Sequence, residues 1–249
     1  MQHEKIASRL WPRLQARAGA PVRLAPAAAA FWRLYAPLAD DRNDSVVLGQ
    51  LGQSLDGRIA TATGHSHYVN GPAVLDHLHR LRALVDAVVV GIGTVLADDP
   101  QLTVRRVSGP HPARVVIDPN GRLPASARLL AEDGRPVFVI QGAERHRPSR
   151  VTPIALPLCD GRLAPADILA ALAERGLRRI LIEGGANTLS SFLAAGALHR
   201  LHLCIAPIVI GSGPIGLALP PIAHLDDALR PAVKVHRLGD DMLFDCRFR

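Results

Sequence analysis

LRALVDAVVVGIGTVLADDPQLTVR, residues 81–105, runs from the end of a helical pattern into an apolar strand and leaves it through two glycines. Val74, Leu78, Leu81 and Val85 recur at helical spacing, so Ala73–Val85 predicts an amphipathic helix. Ala87–Val90 then predicts a buried strand, and Gly91, Ile92, Gly93 and Thr94 lead into another helix. ILIEGGANTL, residues 180–189, repeats the arrangement: Ile180–Ile182 as strand, then Glu183, Gly184, Gly185 and a helix beginning near Asn187. Such junctions let backbone amides approach an anion at a helix N-terminus, where the helix dipole also favours negative charge. Neither completes GxGxxG, and paired glycines at a strand end taken singly are more often tight turns. Two of them at strand C-termini in one α/β pattern point to a single ligand crevice.

Outward from these junctions the same alternation continues. Val46–Leu51, Arg114–Ile117, Pro136–Ile140, Arg179–Ile182, Leu201–Ile205 and Met242–Phe248 predict further strands, and Pro165–Arg175 and Thr188–Ala195 predict helices. The fold class expected is α/β, with a mostly parallel sheet flanked by helices. It should be mixed at its C-terminal end, where strands follow one another without intervening helices. Residues 1–45 read differently, with an Ala run from Ala27 to Ala30 and prolines at Pro12, Pro21, Pro26 and Pro37. Trp11, Leu14, Phe31, Trp32 and Tyr35 make this segment too apolar for a disordered tail, so short helices packed on the body or on a second subunit are expected. Residues 46–249 form the expected main domain.

A chain of 249 residues with 48% hydrophobic residues can bury one full α/β core, and a second complete domain is not expected. No apolar run reaches the ~20 residues that cross a bilayer. Lys5, Arg9, Arg13 and Arg17 are not followed by the apolar block and small-residue site of a signal peptide. Cys159, Cys204 and Cys246 are far apart and lack CxxC spacing, which argues against a disulfide framework or cysteine zinc site and fits a reducing cytoplasm. The net charge of +7 suits an anionic partner. Scattered arginines and only 4% aromatic residues give no stacking platform, so neither nucleic acid nor membrane is the expected partner.

Glu183 ends its strand beside glycines, where its carboxylate could accept loop amides or touch a ligand. Ser54–Ala60, SLDGRIA, contains a turn-forming Asp-Gly pair. Asp98, Asp99 and Pro100 could suggest a metal but read better as a helix-ending turn. His65 and His67 could share one face of an extended segment, yet no third ligand has telling spacing, and no metal is expected. His77 and His79 diverge on a predicted helix and are expected to be solvated or packed. Arg82, one turn from Leu78, should reach the rim of the crevice. There is no GxSxG elbow and no Cys/His pair at motif spacing for nucleophilic catalysis.

Taken together, SLDGRIATATGHS (54–66), LRALVDAVVVGIGTVLADDPQLTVR (81–105), RVVID (114–118), ILIEGGANTL (180–189) and LCIAPIVIGSG (203–213) resemble the pyrimidine reductases of riboflavin biosynthesis. These comprise the C-terminal half of the bifunctional RibD-type deaminase-reductase and stand-alone archaeal and fungal enzymes. The resemblance implies a dihydrofolate-reductase-like α/β fold, a homodimer, and NADPH-dependent reduction of the ribosylamino side chain of a pyrimidine 5′-phosphate to the ribitylamino form. It places Gly52, Tyr68, Thr94, Asp98, Pro119 and the loop Gly185, Ala186, Asn187, Thr188, Leu189, Ser190 and Ser191 at the cofactor. It places Ser66, Arg82, Leu102, Arg105 and Glu183 at the substrate, with Glu183 the candidate catalytic residue and the two arginines as clamps for anionic groups.

This chain departs from the family in three places. Gln50 stands where many bacterial members carry lysine, Tyr68 replaces a tryptophan, and the deaminase half's zinc-binding His and PCxxC pattern is missing from the sequence. Asp118, at a strand end, would in a dinucleotide fold read as a ribose ligand favouring NAD, whereas the resemblance implies NADPH. The rival readings are a reductase of the same fold acting on another small substrate, and a non-catalytic nucleotide- or RNA-binding protein.

Overall fold

The computed structural model describes every residue except 1, 20, 22, 41–44, 143–146, 148, 149 and 249. The outermost residues of the two expected segments, Met1 and Arg249, therefore lie outside the described residues. Two helices, α1 (Gln2–Gln15) and α2 (Pro26–Ala39), precede the sheet. There follow β1 (Val46–Ser54), α3 (Pro72–Leu84), β2 (Ala87–Gly91), α4 (Ile92–Asp98), β3 (Ala113–Ile117), β4 (Val137–Gln141) and β5 (Val151–Ala155). A small hairpin, β6 (Leu158–Cys159) with β7 (Arg162–Leu163), leads to α5 (Pro165–Ala173), β8 (Arg179–Glu183), α6 (Ala186–Ala194), β9 (Arg200–Ala206), β10 (Ala232–Leu238) and β11 (Asp241–Arg247).

Nine strands form one sheet in the order β10-β11-β9-β1-β8-β2-β3-β4-β5. Of these nine strands β11 alone runs opposite to the rest, so the sheet is mixed at the C-terminal end and parallel elsewhere, as expected of the fold class. The central strands are apolar on both faces because each face is covered. Val46, Leu48, Val88, Val90, Val116 and Leu181 pack under α1, α2 and α3, while Val47, Leu51, Val89, Val115, Ile180 and Ile182 pack under α5 and α6. This alternation puts the junction helices on opposite faces of one sheet.

Helices α1 and α2 of the N-terminal segment pack on the body. Leu10, Trp11 and Leu14 of α1 and Phe31, Leu34, Tyr35 and Leu38 of α2 are buried in the same cluster as α3. Besides the short hairpin β6–β7, two strands of the nine-stranded sheet were not expected from the sequence. β5 carries Pro153, tolerable only because it is an edge strand. β10, the opposite edge, leaves Val233 and Val235 about half exposed at 47% and 51%, so it lacks the buried alternating face by which a strand is recognised. β1 also runs on to Ser54, past the expected end at Leu51.

Candidate active site

Both glycine junctions lie at C-terminal strand ends, β2 into α4 and β8 into α6, and they interlock. A Cβ on Gly91 would lie 2.3 Å from Thr188 Oγ1, and a Cβ on Gly185 would lie 2.9 Å from Thr94 Oγ1. Each glycine thus makes room for a threonine of the other junction, and the two turns form one crevice wall. Gly184 and Gly185 have φ of 60° and 70°, a region costly for residues with a Cβ. The first turn of α6 has no acidic residue and no side-chain cap, so its amides are open to an anion.

The remaining residues nominated for the cofactor occupy varied surroundings. Thr94 is half-buried and Asn187 exposed, whereas Leu189 is fully buried against β1 and Ser190 Oγ accepts the Ala218 amide at 2.9 Å. Leu189 and Ser190 are therefore on the buried side of α6, and Ala186, Asn187, Thr188 and Ser191 hold its more accessible positions. Gly52 leaves the space that Asn70 Oδ1 fills, 1.8 Å from where a Cβ would stand. Tyr68 is 85% exposed with φ of 64°, which displays its ring on a strained turn at the mouth. Pro119 is half-buried just beyond β3. Its neighbour Asp118 is fully buried and occupied: Arg122 N, Leu123 N and Arg147 Nη2 each donate to it at 2.9 Å. The carboxylate of Asp118 thus builds the loop after β3, and the dinucleotide-fold rule for a strand-end acid does not carry over to it.

On the substrate side, Arg82 and Glu183 meet each other. Arg82 Nε and Nη2 donate to the two carboxylate oxygens at 2.7 and 2.6 Å, with side-chain exposures of 8% and 7%. Arg82 Nη1 donates to the Thr103 carbonyl at 3.0 Å. The guanidinium is a bidentate brace between α3, the end of β8 and the strap after α4. Arg105, on that strap, is exposed, and its Nη1 donates to Thr103 Oγ1 at 2.6 Å. Its pKa is lowered by partial burial and by the positive Arg82 and Arg128 nearby, the electrostatics of a place that favours an anion. Leu102 is 1% exposed with φ of 57°, so any substrate contact it makes is through its backbone. Ser66 Oγ donates to Asp98 Oδ1 at 3.0 Å, which ties a substrate candidate to a cofactor candidate. Asp99 closes α4 in the left-handed region, as the turn reading expected.

Several contributors were not singled out as site residues from sequence. His79 Nδ1 accepts the Arg105 amide at 2.8 Å and His111 Nδ1 accepts the Val104 amide at 3.1 Å. Burial and the cations Arg82, Arg105 and Arg106 push His79 down to about 4, so it is a neutral acceptor near pH 7. Its spacing of three from Arg82 on one helix was the available signal. His77 is packed, bonded to Tyr35 Oη at 2.8 Å and His202 at 3.1 Å. In register across the sheet, Asp245, His202, Gln50 and Glu183 stand side by side on β11, β9, β1 and β8. This polar row lies beneath α3 and includes the Gln50 that departs from the lysine of many relatives. The SLDG turn is also structural: Asp56 accepts from Ser54 Oγ at 2.6 Å and from the amides of Ile210 and Gly211 at 3.1 and 2.7 Å. These bonds hold its pKa down at about 2 and stitch residues 54–58 to the loop after β9.

His65 and His67 lie with ring centroids 6.1 Å apart, and among the described residues no group of three His, Cys, Asp or Glu is placed to hold a metal. No described helix is long and apolar enough to cross a membrane.

Comparison with known proteins matches residues 46–243 to the RibD C-terminal domain. The chain is 35% identical over 208 residues to the 2,5-diamino-6-ribosylamino-4(3H)-pyrimidinone 5′-phosphate reductase of Methanothermobacter thermautotrophicus, covering 80% of this chain and 96% of that protein. It is 33% identical over 195 residues to riboflavin biosynthesis protein RibD of Aquifex aeolicus, covering 77% of this chain and 54% of that one. The crystal structure of the Thermotoga maritima diaminohydroxyphosphoribosylaminopyrimidine deaminase/5-amino-6-(5-phosphoribosylamino)uracil reductase superposes with a TM-score of 0.73 at 26% identity, over 89% of this chain and 62% of that one. The chain thus spans about half the length of its Aquifex relative and nearly all of its archaeal one. With its mixed, mostly parallel sheet and its match across the sheet-bearing region, the chain belongs to the RibD C-terminal domain family, the pyrimidine reductases of riboflavin biosynthesis.

Proposed function

We propose that this protein is an NADPH-dependent oxidoreductase that reduces the ribosylamino side chain of a pyrimidine 5′-phosphate to the ribitylamino form. The observation that carries the reading is the interlocked pair of glycine junctions, whose open α6 N-terminus faces the same strand ends as Arg105 and the Arg82–Glu183 brace. A pyrophosphate suits uncapped amides beside glycines that admit no Cβ. NADPH rather than NADH is supported by Asp118, whose carboxylate is consumed by Arg147 and loop amides and so is withdrawn from a ribose diol.

The cofactor, when bound, supplies hydride, and the protein supplies alignment and exclusion of water. Gly52, Tyr68, Thr94, Asp98, Pro119 and residues 185–191 hold the cofactor, with Leu189 and Ser190 acting from behind as packing. Arg105 binds an anionic group of the substrate. Glu183, held in place by Arg82, presents its carboxylate edge to the pyrimidine or sugar hydroxyls, with Ser66 and the Leu102 backbone completing that side.

Residues 46–249 are the reductase unit and residues 1–45 a helical appendage to it. The protein acts as a homodimer: the β10 edge strand exposes Val233 and Val235, and the segment between β9 and β10 exposes Ile208, Val209, Ile215 and Ile222, an apolar edge that a second copy would cover. A reducing cytoplasm fits this biosynthetic role. The test is NADPH oxidation with the ribosylaminopyrimidine phosphates before and after deamination. Turnover of one of them is expected, and absence of turnover with both, despite NADPH binding, would reassign the substrate.

A further inference from the structure

The strap from Leu102 to Ser108 belongs to no strand or helix, so no ladder of hydrogen bonds fixes its path. Side chains fix it instead. At one end it is held by Arg82, His79 and His111. At the other, Trp11 Nε1 and Gln15 Nε2 of α1 both donate to the Ser108 carbonyl, at 2.9 and 2.8 Å. These residues are four apart and share one face of the helix. The next residue, Gly109, sits between α1 and α3: a Cβ there would meet Ala83 Cβ at 2.6 Å and Gln15 Nε2 at 2.9 Å. Trp11 is itself buried, edge-on to Tyr35 at 6.1 Å, and Tyr35 bonds His77 on α3. α1, with Trp11 and Gln15, and α2, with Tyr35, precede residue 46, where the match to the family begins.

We propose that α1 is a clip for the substrate strap, with Trp11 and Gln15 as positioning residues that set the presentation of Arg105. The inference rests on the assignment of Arg105 to the substrate. Two convergent donors satisfy a carbonyl that would otherwise turn to solvent, and the fixed turn at Ser108–Gly109 limits the freedom of the two residues, Arg106 and Val107, that separate it from Arg105. The appendage thereby acts on substrate affinity from outside the region that the family shares.

The decisive variant is Gln15→Glu, which keeps shape at an exposed site but sets a carboxylate against the carbonyl, and Trp11→Phe is its partner. Substrate KM should rise about 2- to 12-fold in each, the factor equivalent to one ordinary hydrogen bond. Amide exchange across residues 103–109 should quicken, while kcat and NADPH affinity stay unchanged. Gln15→Arg, which restores an N–H donor, should recover most of the affinity. Unchanged exchange in the strap overturns the clip. So does a normal KM in Gln15→Glu and Trp11→Phe when Arg105→Ala raises it. If Arg105→Ala itself binds substrate normally, the Arg105 assignment falls, and the proposed role of α1 falls with it.

Discussion

Replacing Arg82 and replacing Arg105 should produce different kinds of damage, although the two arginines resemble each other in sequence. Arg82 is buried and bidentate with Glu183, so Arg82→Ala leaves an uncompensated carboxylate inside the protein. Breaking a buried pair from one side costs about 3–5 kcal/mol. For a chain of this size each kcal/mol lowers Tm by roughly 2–4 °C, so a fall of about 6–20 °C is expected, with turnover lost alongside. Arg105→Ala removes an exposed cation, so Tm should stay within about 2 °C, since surface changes are usually within about 0.5 kcal/mol. Its substrate affinity should fall about 10- to 150-fold, from the ~1.5–3 kcal/mol of a charge-assisted bond. Lysine at 105 should recover part of that, keeping charge without the planar fork. The combined Arg82→Met, Glu183→Leu variant should regain most of the stability but none of the activity, because apolar replacement of a whole buried pair is often neutral. The assays are thermal melts, steady-state kinetics and NADPH titration on each purified variant. An Arg82→Ala protein that melts normally and suffers only in KM would refute the brace and restore Arg82 as a direct clamp.

Other expectations follow from the same geometry. Gly91→Ala should weaken NADPH binding and cost about 1–3 kcal/mol through overpacking against Thr188; adding Thr188→Ala should return the stability, as read by chemical denaturation. His79 is held near 4 against an ordinary 6.5, so the unfolded chain takes up its proton first. Its stabilising share is complete above about pH 6.5 and drains away as pH falls toward 4, and His79→Asn, which keeps an acceptor that does not titrate, should flatten denaturation midpoints across that window. Asp56, held near 2 against 3.8, contributes stability above about pH 4 that is lost as pH falls toward 2; Asp56→Asn should differ most from the parent at neutral pH and converge with it in acid. NADPH should bind more tightly than NADH by calorimetry, and equal affinities would remove the argument from Asp118.

What could be read in the residues was whatever local spacing controls. The buried runs Ala87–Val90 and Ile180–Ile182 declared themselves as strands because neither face meets water, and the glycines after them marked where backbones approach closely. β10 stayed hidden because Val233 and Val235 alternate with Lys234 and His236 on a half-solvated edge, a pattern shared by many loops. The candidate site was legible as a set of residues but not as a set of bonds. Arg82 and Glu183 are 101 positions apart, and nothing local indicates that two residues nominated for a ligand will satisfy each other first. The role of Asp118 was hidden for a related reason: the arginine that pairs with it, Arg147, comes from another loop. Trp11 and Gln15 bond a carbonyl more than ninety residues away, a contact that leaves no periodic trace.

The polar row beneath α3 bears on which parts of this molecule could be exchanged with those of a relative. Asp245, His202, Gln50 and Glu183 come from four strands, and His77 and Arg82 reach down to His202 and Glu183 from the helix above. A chimera that imported α3 alone would strand partners in four places in the chain, so the helix and the strands under it can only be inherited together. On the other face α6 rests on Leu189, Phe192 and Leu193 in an apolar bed, where shape and volume are the main requirements. α6 is therefore the transferable part, while α3 is bound to its own sheet.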